Sequence, residues 1–239
     1  MTSILSTKKL LPDQKKLFLN TGITLIETDF IKTIPVSFDM IDIKKKLVFT
    51  SQNTVLAIIN HPNFKQIINK PCFCVGLKTK QLLEQNGFRI LESTNYASDL
   101  IEIIKNRYSK EQFTFFSGNL RLDTIPLGMQ EANILFNEIT VYNTLFTPKK
   151  IEQSVNGILF FSPSGIQSYT LLNAIDQQIC FCIGTTTSGF LISQKEKDKK
   201  QIKTNNSKPF VILADEQTVE SVIKKSITYF NTPHHDNKK

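Results

Sequence analysis

Residues 158–166 read ILFFSPSGI, and residues 47–55 read LVFTSQNTV. Each is a short apolar run that stops at a serine and passes into small polar residues. An apolar run of this length, bounded by turn residues, is the pattern of a strand buried on both faces, which in turn implies a parallel sheet covered by helices. One chain therefore builds the same strand-to-turn junction twice, with Ser51 and Ser162 111 positions apart.

Working outward from that pair, three further segments recur in the same order. ILS (4–6) matches FFS (115–117), ITLIETDFI (23–31) matches ILFNEITVY (134–142), and CFCVGLKT (72–79) matches CFCIGTTT (180–187). The first two keep the offset of 111 and the last has 108, so one small deletion reconciles the two copies. Glu27 and Glu138 fall at equivalent positions. Aliphatic-rich segments close both copies as helices, SDLIEIIKNR (98–107) and TVESVIKKSITYF (218–230), with Ser98 and Thr218 as capping residue types at their starts. In NGF (86–88), Gly87 stands where a helix end wants a left-handed residue, and PFVILA (209–214) reads as one more short strand. Apolar runs alternating with helices predict two doubly wound α/β domains.

Composition bounds the function. A chain of 239 residues, 40% hydrophobic with 18 Phe, can fill real cores. No stretch approaches the roughly 20 apolar residues of a membrane span, and the start, MTSILSTKKLLPDQKK, lacks the apolar centre of an export signal, so a cytoplasmic location with no membrane partner is expected. The four cysteines form two CFC triplets, at 72–74 and 180–182. Zinc sites usually separate paired cysteines by two to four residues and add further ligands, so buried reduced thiols are expected rather than a metal site. The net charge of +8 favours anionic partners, although KEKDKKQIK (195–203) and HHDNKK (234–239) read as solvated surface or tail. No nucleic-acid-binding motif is present, so no nucleic-acid partner is expected.

Candidate binding residues lie at the strand-to-helix junctions TSQN (50–53), GLKT (76–79), SGN (117–119), SPSG (162–165) and GTTT (184–187). Open α/β sheets hold ligands at such points, where loop amides and helix N-termini present unpaired N–H groups. Small hydroxyl, amide and glycine residues there suit carboxylates. His61, in NHPN, and His234 and His235, in the tail, build neither a Ser-His-Asp set nor a metal set. FSPSG lacks the first glycine of a nucleophile elbow, and neither G-x-G-x-x-G nor a P-loop occurs.

The ordered set FTSQNTV (49–55), VGLKTKQLLEQNGF (75–88), FFSGNLRLDTIPLGMQEANILFNEITVYNT (115–144), ILFFSPSGIQSY (158–169) and CIGTTTSGFL (182–191) resembles the uroporphyrinogen-III synthase family over nearly the whole chain. The resemblance implies two flavodoxin-like, doubly wound parallel-sheet domains joined by a two-stranded ladder. The first domain would be discontinuous, 1–35 with 149–239, around a second at 36–148, with ladder strands near 28–38 and 138–148. It implies a monomeric lyase of tetrapyrrole biosynthesis, without cofactor or metal, that closes hydroxymethylbilane to uroporphyrinogen III. In that reaction water is lost and the last ring is inverted through a spiro intermediate, inside a cleft between the domains. Matched to the family's pattern, Tyr142 is the expected catalytic residue. Ser51, Asn53, Thr79, Gly118, Asn119, Ser162, Ser164, Thr186 and Thr187 are the expected substrate-binding residues, with Lys8 and Arg121 as candidates for propionate contacts. The sequence departs from the pattern at STKK (6–9), where relatives often carry Thr-Arg, and at SQNT (51–54), which lacks the proline of SPSG. Without the resemblance, the same residues also fit a hinged, non-catalytic protein that binds small anions.

Overall fold

The structure, a computed structural model, describes residues 1–201 and 210–232. The chain forms two compact units, one of residues 1–32 and 146–239 and the other of residues 33–145.

The second unit is continuous. Its strands are β3 (Ile31–Pro35), β4 (Lys46–Phe49), β5 (Cys72–Val75), β6 (Ile90–Thr94), β7 (Phe113–Gly118) and β8 (Phe136–Phe146), ordered β3-β8-β7-β4-β5-β6 in one sheet. From β8 through β6 every neighbouring pair is parallel. Helices α2 (Gln52–Ile59) and α3 (Leu77–Gln85) cover one face, and α4 (Ala97–Arg107) and α5 (Thr124–Glu131) the other. The triplet Cys72-Phe73-Cys74 shows why. Alternate side chains of a strand point to opposite faces. Both cysteines enter the core with Leu47, Phe49 and Phe116, while Phe73 enters the opposite core with Val48, Phe113 and Phe115. Phe49 stacks on Phe116 at 5.4 Å and meets Phe88 edge-on at 5.9 Å. Each buried ring of this kind stabilises the fold by about 1.5–3 kcal/mol.

The first unit repeats the design with β1 (Thr2–Ser6), β2 (Ile23–Glu27), β9 (Gly157–Phe160), β10 (Ile179–Cys182) and β11 (Val211–Leu213), ordered β11-β10-β9-β1-β2 and parallel throughout. Helices α6 (Pro163–Thr170) and α7 (Thr185–Gln201) cover one face, and α8 (Val219–Asn231), with Leu10 and Phe18 from around α1 (Pro12–Lys16), the other. Cys180 and Cys182 again share one core and Phe181 the other.

The repeat pairs β1 with β7, β2 with β8, β4 with β9, β5 with β10 and β6 with β11, and under that pairing the two sheets have the same spatial order. Counted along its own chain, the first unit reads 2-1-3-4-5, the flavodoxin order. The second reads 3-2-1-4-5, with β3 added at its edge. It is the same sheet, cut at a different loop.

Thr218 caps α8, its hydroxyl accepting from the Ser221 amide at 3.1 Å, and Gly87 takes φ 79°. Ser98 does not cap α4. Tyr96 holds the extended backbone ahead of the helix, so Ser98 falls inside the first turn, where its Oγ donates to Asp99 at 3.2 Å. KEKDKKQIK (195–203), read as solvated surface, enters α7, whose backbone runs to Gln201; residues 202–203 lie outside the described residues, as do His234 and His235. Among the described residues no helix is long and apolar enough to cross a membrane.

Candidate functional site

In a doubly wound sheet the neighbouring strands whose connections leave in opposite directions open a crevice at their C-terminal ends. That switch point lies between β4 and β7 in the second unit, and between β9 and β1 in the first. Most of the expected site residues stand at these two places.

At the switch point of the second unit, β4 leads through Thr50 to Ser51, which caps α2 by accepting from the Asn53 amide at 3.1 Å. β7 ends at Gly118, paired with Tyr142 of β8 after a register shift in which Ser117 still faces Thr140. The Tyr142 hydroxyl donates to Ser51 Oγ at a long 3.4 Å. Ser51, Gly118 and Tyr142 are thus brought together by direct contact, and exposed Asn53 reaches Thr33 with its amide at 3.5 Å. Asn119 is exposed but committed: its Oδ1 accepts from the Thr144 amide at 2.7 Å and its Nδ2 donates to the Thr144 carbonyl at 3.3 Å. Thr79 lies one strand over, 5% exposed, so its hydroxyl is turned away from solvent.

At the switch point of the first unit, Ser162 caps α6, accepting from the Gly165 amide at 3.1 Å, and lies 3.0 Å from the Ser164 hydroxyl. Lys8 follows β1 with its ammonium 5.8 Å from the centre of the Phe161 ring. Thr186 is exposed at the start of α7, whereas Thr187 is 3% exposed with its amide bonded to Gly184. A shallow concavity lined by Ser154, Asn156, Asp176, Gln178 and Tyr229 lies at the other end of this sheet, where β9 and β10 begin, and contains none of these residues.

Arg121 is no free cation. Its Nε and Nη2 donate to the two oxygens of Glu138 at 2.7 and 2.9 Å, and Nη1 pairs with Asp123. Glu138 also accepts from Ser117 Oγ at 2.6 Å. Burial alone would push the Glu138 carboxyl up; the hydrogen bonds from Arg121 and Ser117 outweigh it and hold the group below its ordinary value. The signal for this was the repeat itself. Glu27, the equivalent residue, accepts from the Leu10 amide at 3.0 Å and pairs with Lys15, so each glutamate ties down the loop after the first strand of its copy. His61 is likewise occupied, its Nδ1 accepting from the Asn63 amide and its Nε2 donating to the Phe38 carbonyl.

The four thiols are free and buried, and burial pushes Cys72 and Cys182 up to about 12. Among the described residues no group of His, Cys, Asp and Glu is arranged to hold a metal ion.

No curated protein sequence matches the chain significantly. Solved structures do. The uroporphyrinogen-III synthetase of Helicobacter pylori aligns with 96% of this chain and 100% of its own, at 15% identity and a TM-score of 0.66. A mutant uroporphyrinogen III synthase of Thermus thermophilus covers 96% and 98%, at 13% identity and 0.67, and the wild-type enzyme in another crystal form gives 12% and 0.54. At such identities the likeness is one of fold. The sequence goes further, since a family model described as uroporphyrinogen-III synthase HemD matches residues 14–200, and with the ordered junctions and the doubled sheet this identifies the chain as a member of the uroporphyrinogen-III synthase family.

Proposed function

We propose that the protein is a uroporphyrinogen-III synthase that cyclises hydroxymethylbilane, with loss of water, to uroporphyrinogen III. The observation that carries this is the family match over residues 14–200, read together with a tyrosine hydroxyl and a capping serine 3.4 Å apart at a sheet switch point.

The chemistry asks for little covalent help. Loss of the terminal hydroxyl leaves an azafulvene cation, attack at the substituted carbon of the last pyrrole gives a spiro-pyrrolenine, and fragmentation with reclosure inverts that ring. Unassisted closure skips the inversion, so the protein must steer as well as accelerate. A hundredfold preference for the inverted product needs about 2.7 kcal/mol of differential transition-state stabilisation. In our reading the phenolic O–H of Tyr142 donates to the departing hydroxyl, with Ser51 as its resting partner. In the second unit the N–H groups at the starts of α2 and α3, with Ser51 and Asn53, suit substrate carboxylates, and in the first unit those at the starts of α6 and α7, with Ser162, Ser164 and Thr186, suit them equally. Lys8, which makes no ion pair among the described residues, is a further cationic contact. The net charge of +8 accelerates capture of such a polyanion. We further propose that the protein works as a monomer, in the cytoplasm.

The test is to supply purified protein with enzymically generated hydroxymethylbilane and to separate the type I and type III products. Formation of type I alone refutes the activity. Tyr142→Phe is expected to fold normally and lose most of its rate of type III formation; undiminished turnover removes the tyrosine from the mechanism.

A further inference from the structure

The proposed chemistry leaves unexplained what aims the Tyr142 hydroxyl. Its ring lies flat against Gly118: a methyl group placed on that glycine would overlap the ring, 2.5 Å from Cε2 and 2.7 Å from the hydroxyl oxygen. Every other residue type would expel the ring from where it lies. The strand that carries the tyrosine is itself displaced, because the ladder steps from Ser117 opposite Thr140 to Gly118 opposite Tyr142 and skips Val141. An extra residue of this kind bends a strand and re-aims its side chains. Beyond the skip the ladder resumes through Asn119, whose amide donates to the Tyr142 carbonyl at 3.2 Å while its side chain bonds both backbone groups of Thr144. Three hydrogen bonds from one residue therefore fix 142–144.

The repeat supplies an internal control. The counterparts of Gly118, Asn119 and Tyr142 at the offset of 111 are Thr7, Lys8 and Ile31. Thr7 turns its hydroxyl onto the Leu159 carbonyl at 2.7 Å, and Lys8 lies over Phe161. Ile31 lies past the end of β2, in β3 of the other sheet, so where no tyrosine has to be seated the first unit carries neither the glycine nor the asparagine.

We infer that Gly118 and Asn119 are positioning residues that act through Tyr142, the first by vacating the space its ring occupies and the second by clamping its strand, and that Asn119 is not itself a substrate ligand. The inference rests on the role proposed for Tyr142.

A double-mutant cycle tests it, with Gly118→Ala and Asn119→Ala made in the wild-type and Tyr142→Phe backgrounds. The readouts are kcat and KM for type III formation and the melting temperature of each variant. Tyr142→Phe should lower kcat on the order of a hundredfold, the lower range for a lost acid group. In the wild-type background Gly118→Ala should approach that loss, as a misplacement of about 1 Å does, and Asn119→Ala should lower kcat by roughly tenfold with KM within about twofold. In the Tyr142→Phe background neither should lower kcat by more than about twofold. Losses that multiply in both backgrounds overturn the inference while leaving Tyr142 its role, and so does a raised KM with unchanged kcat in Asn119→Ala, which would make Asn119 a substrate contact. Full turnover by Tyr142→Phe removes both the role and the inference. Should Gly118→Ala fail to fold, Asn119→Ala, a change at an exposed side chain, decides the matter.

Discussion

Replacing Glu138 with glutamine keeps the shape of the side chain and removes its charge. In the wild type the carboxylate receives Arg121 at 2.7 and 2.9 Å and Ser117 at 2.6 Å. Glutamine can still accept at one oxygen, but its new NH2 group faces an Arg121 N–H, so one bond is lost and two donors oppose each other. Hydrogen bonds to charged groups contribute about 1.5–3 kcal/mol each. The Arg121 and Glu138 side chains are 28% and 24% exposed, so solvent trims this without cancelling it. A loss of about 2 kcal/mol is expected, which for a domain near 100 residues lowers the melting temperature by roughly 8 °C. Differential scanning calorimetry at pH 7 and at acidic pH supplies the measurement. Because the folded carboxyl lies below its ordinary value of 4.5, its contribution is complete above that value and fades as pH falls through the folded one. The wild-type and Glu138→Gln transitions should therefore converge on acidification. A gap as wide at pH 3 as at pH 7 would refute the electrostatic argument and leave packing as the cause; no gap at pH 7 would show that Asp123 alone suffices for Arg121.

Other expectations follow from the same contacts. Gly157→Ala places a methyl 2.8 Å from Phe230 Cε2 and 3.2 Å from Phe181 Cε2, so chemical denaturation should show a loss of about 1–3 kcal/mol; a neutral change would mean the rings move aside freely. Thr218→Ala removes the cap of α8 and should lower stability by about 1 kcal/mol, whereas Ser98→Ala, lacking a capping bond, should leave the denaturation midpoint nearly unchanged. A thiol reagent at pH 8 should label none of the four cysteines in the native protein and all four in denaturant, since burial keeps them out of reach. Rapid native labelling would contradict the packing around the CFC triplets.

The parts of the fold that were readable are those where one strand carries its own explanation. LVF, FFSG, ILFF and CFC are apolar on both faces, so their burial and their ends follow from the residues alone. The alternation of Cys72, Phe73 and Cys74 between two cores needed nothing beyond the pleat. What resisted reading depends on partners far away in sequence. Ser98 has the chemistry of a cap, but the extended residue is Tyr96, and that choice is made by the turn out of β6. Arg121 looks like a spare cation until β8 brings Glu138 beside it. Asn119 pairs with both backbone groups of Thr144, a residue 25 positions on that only the neighbouring strand brings beside it. Thr79 and Thr187 stand at the right junctions but face inward, because the third position of each helix packs toward the sheet.

The cut that distinguishes the two sheets also sets an order of events during synthesis. Strand β1 needs β9 as a neighbour, and β9 is translated only after the whole of residues 33–145. A nascent chain that has just passed residue 146 holds every strand of the continuous unit's sheet, while Ile4 and Leu5 still lack the β9 partner beside which they are buried. The inserted half is thus ready to condense on the ribosome while the interrupted half must wait, and the earliest strand made is among the last to be housed. Arrested chains of increasing length, probed by protease, should show residues 33–145 becoming resistant while 1–32 remains cleavable.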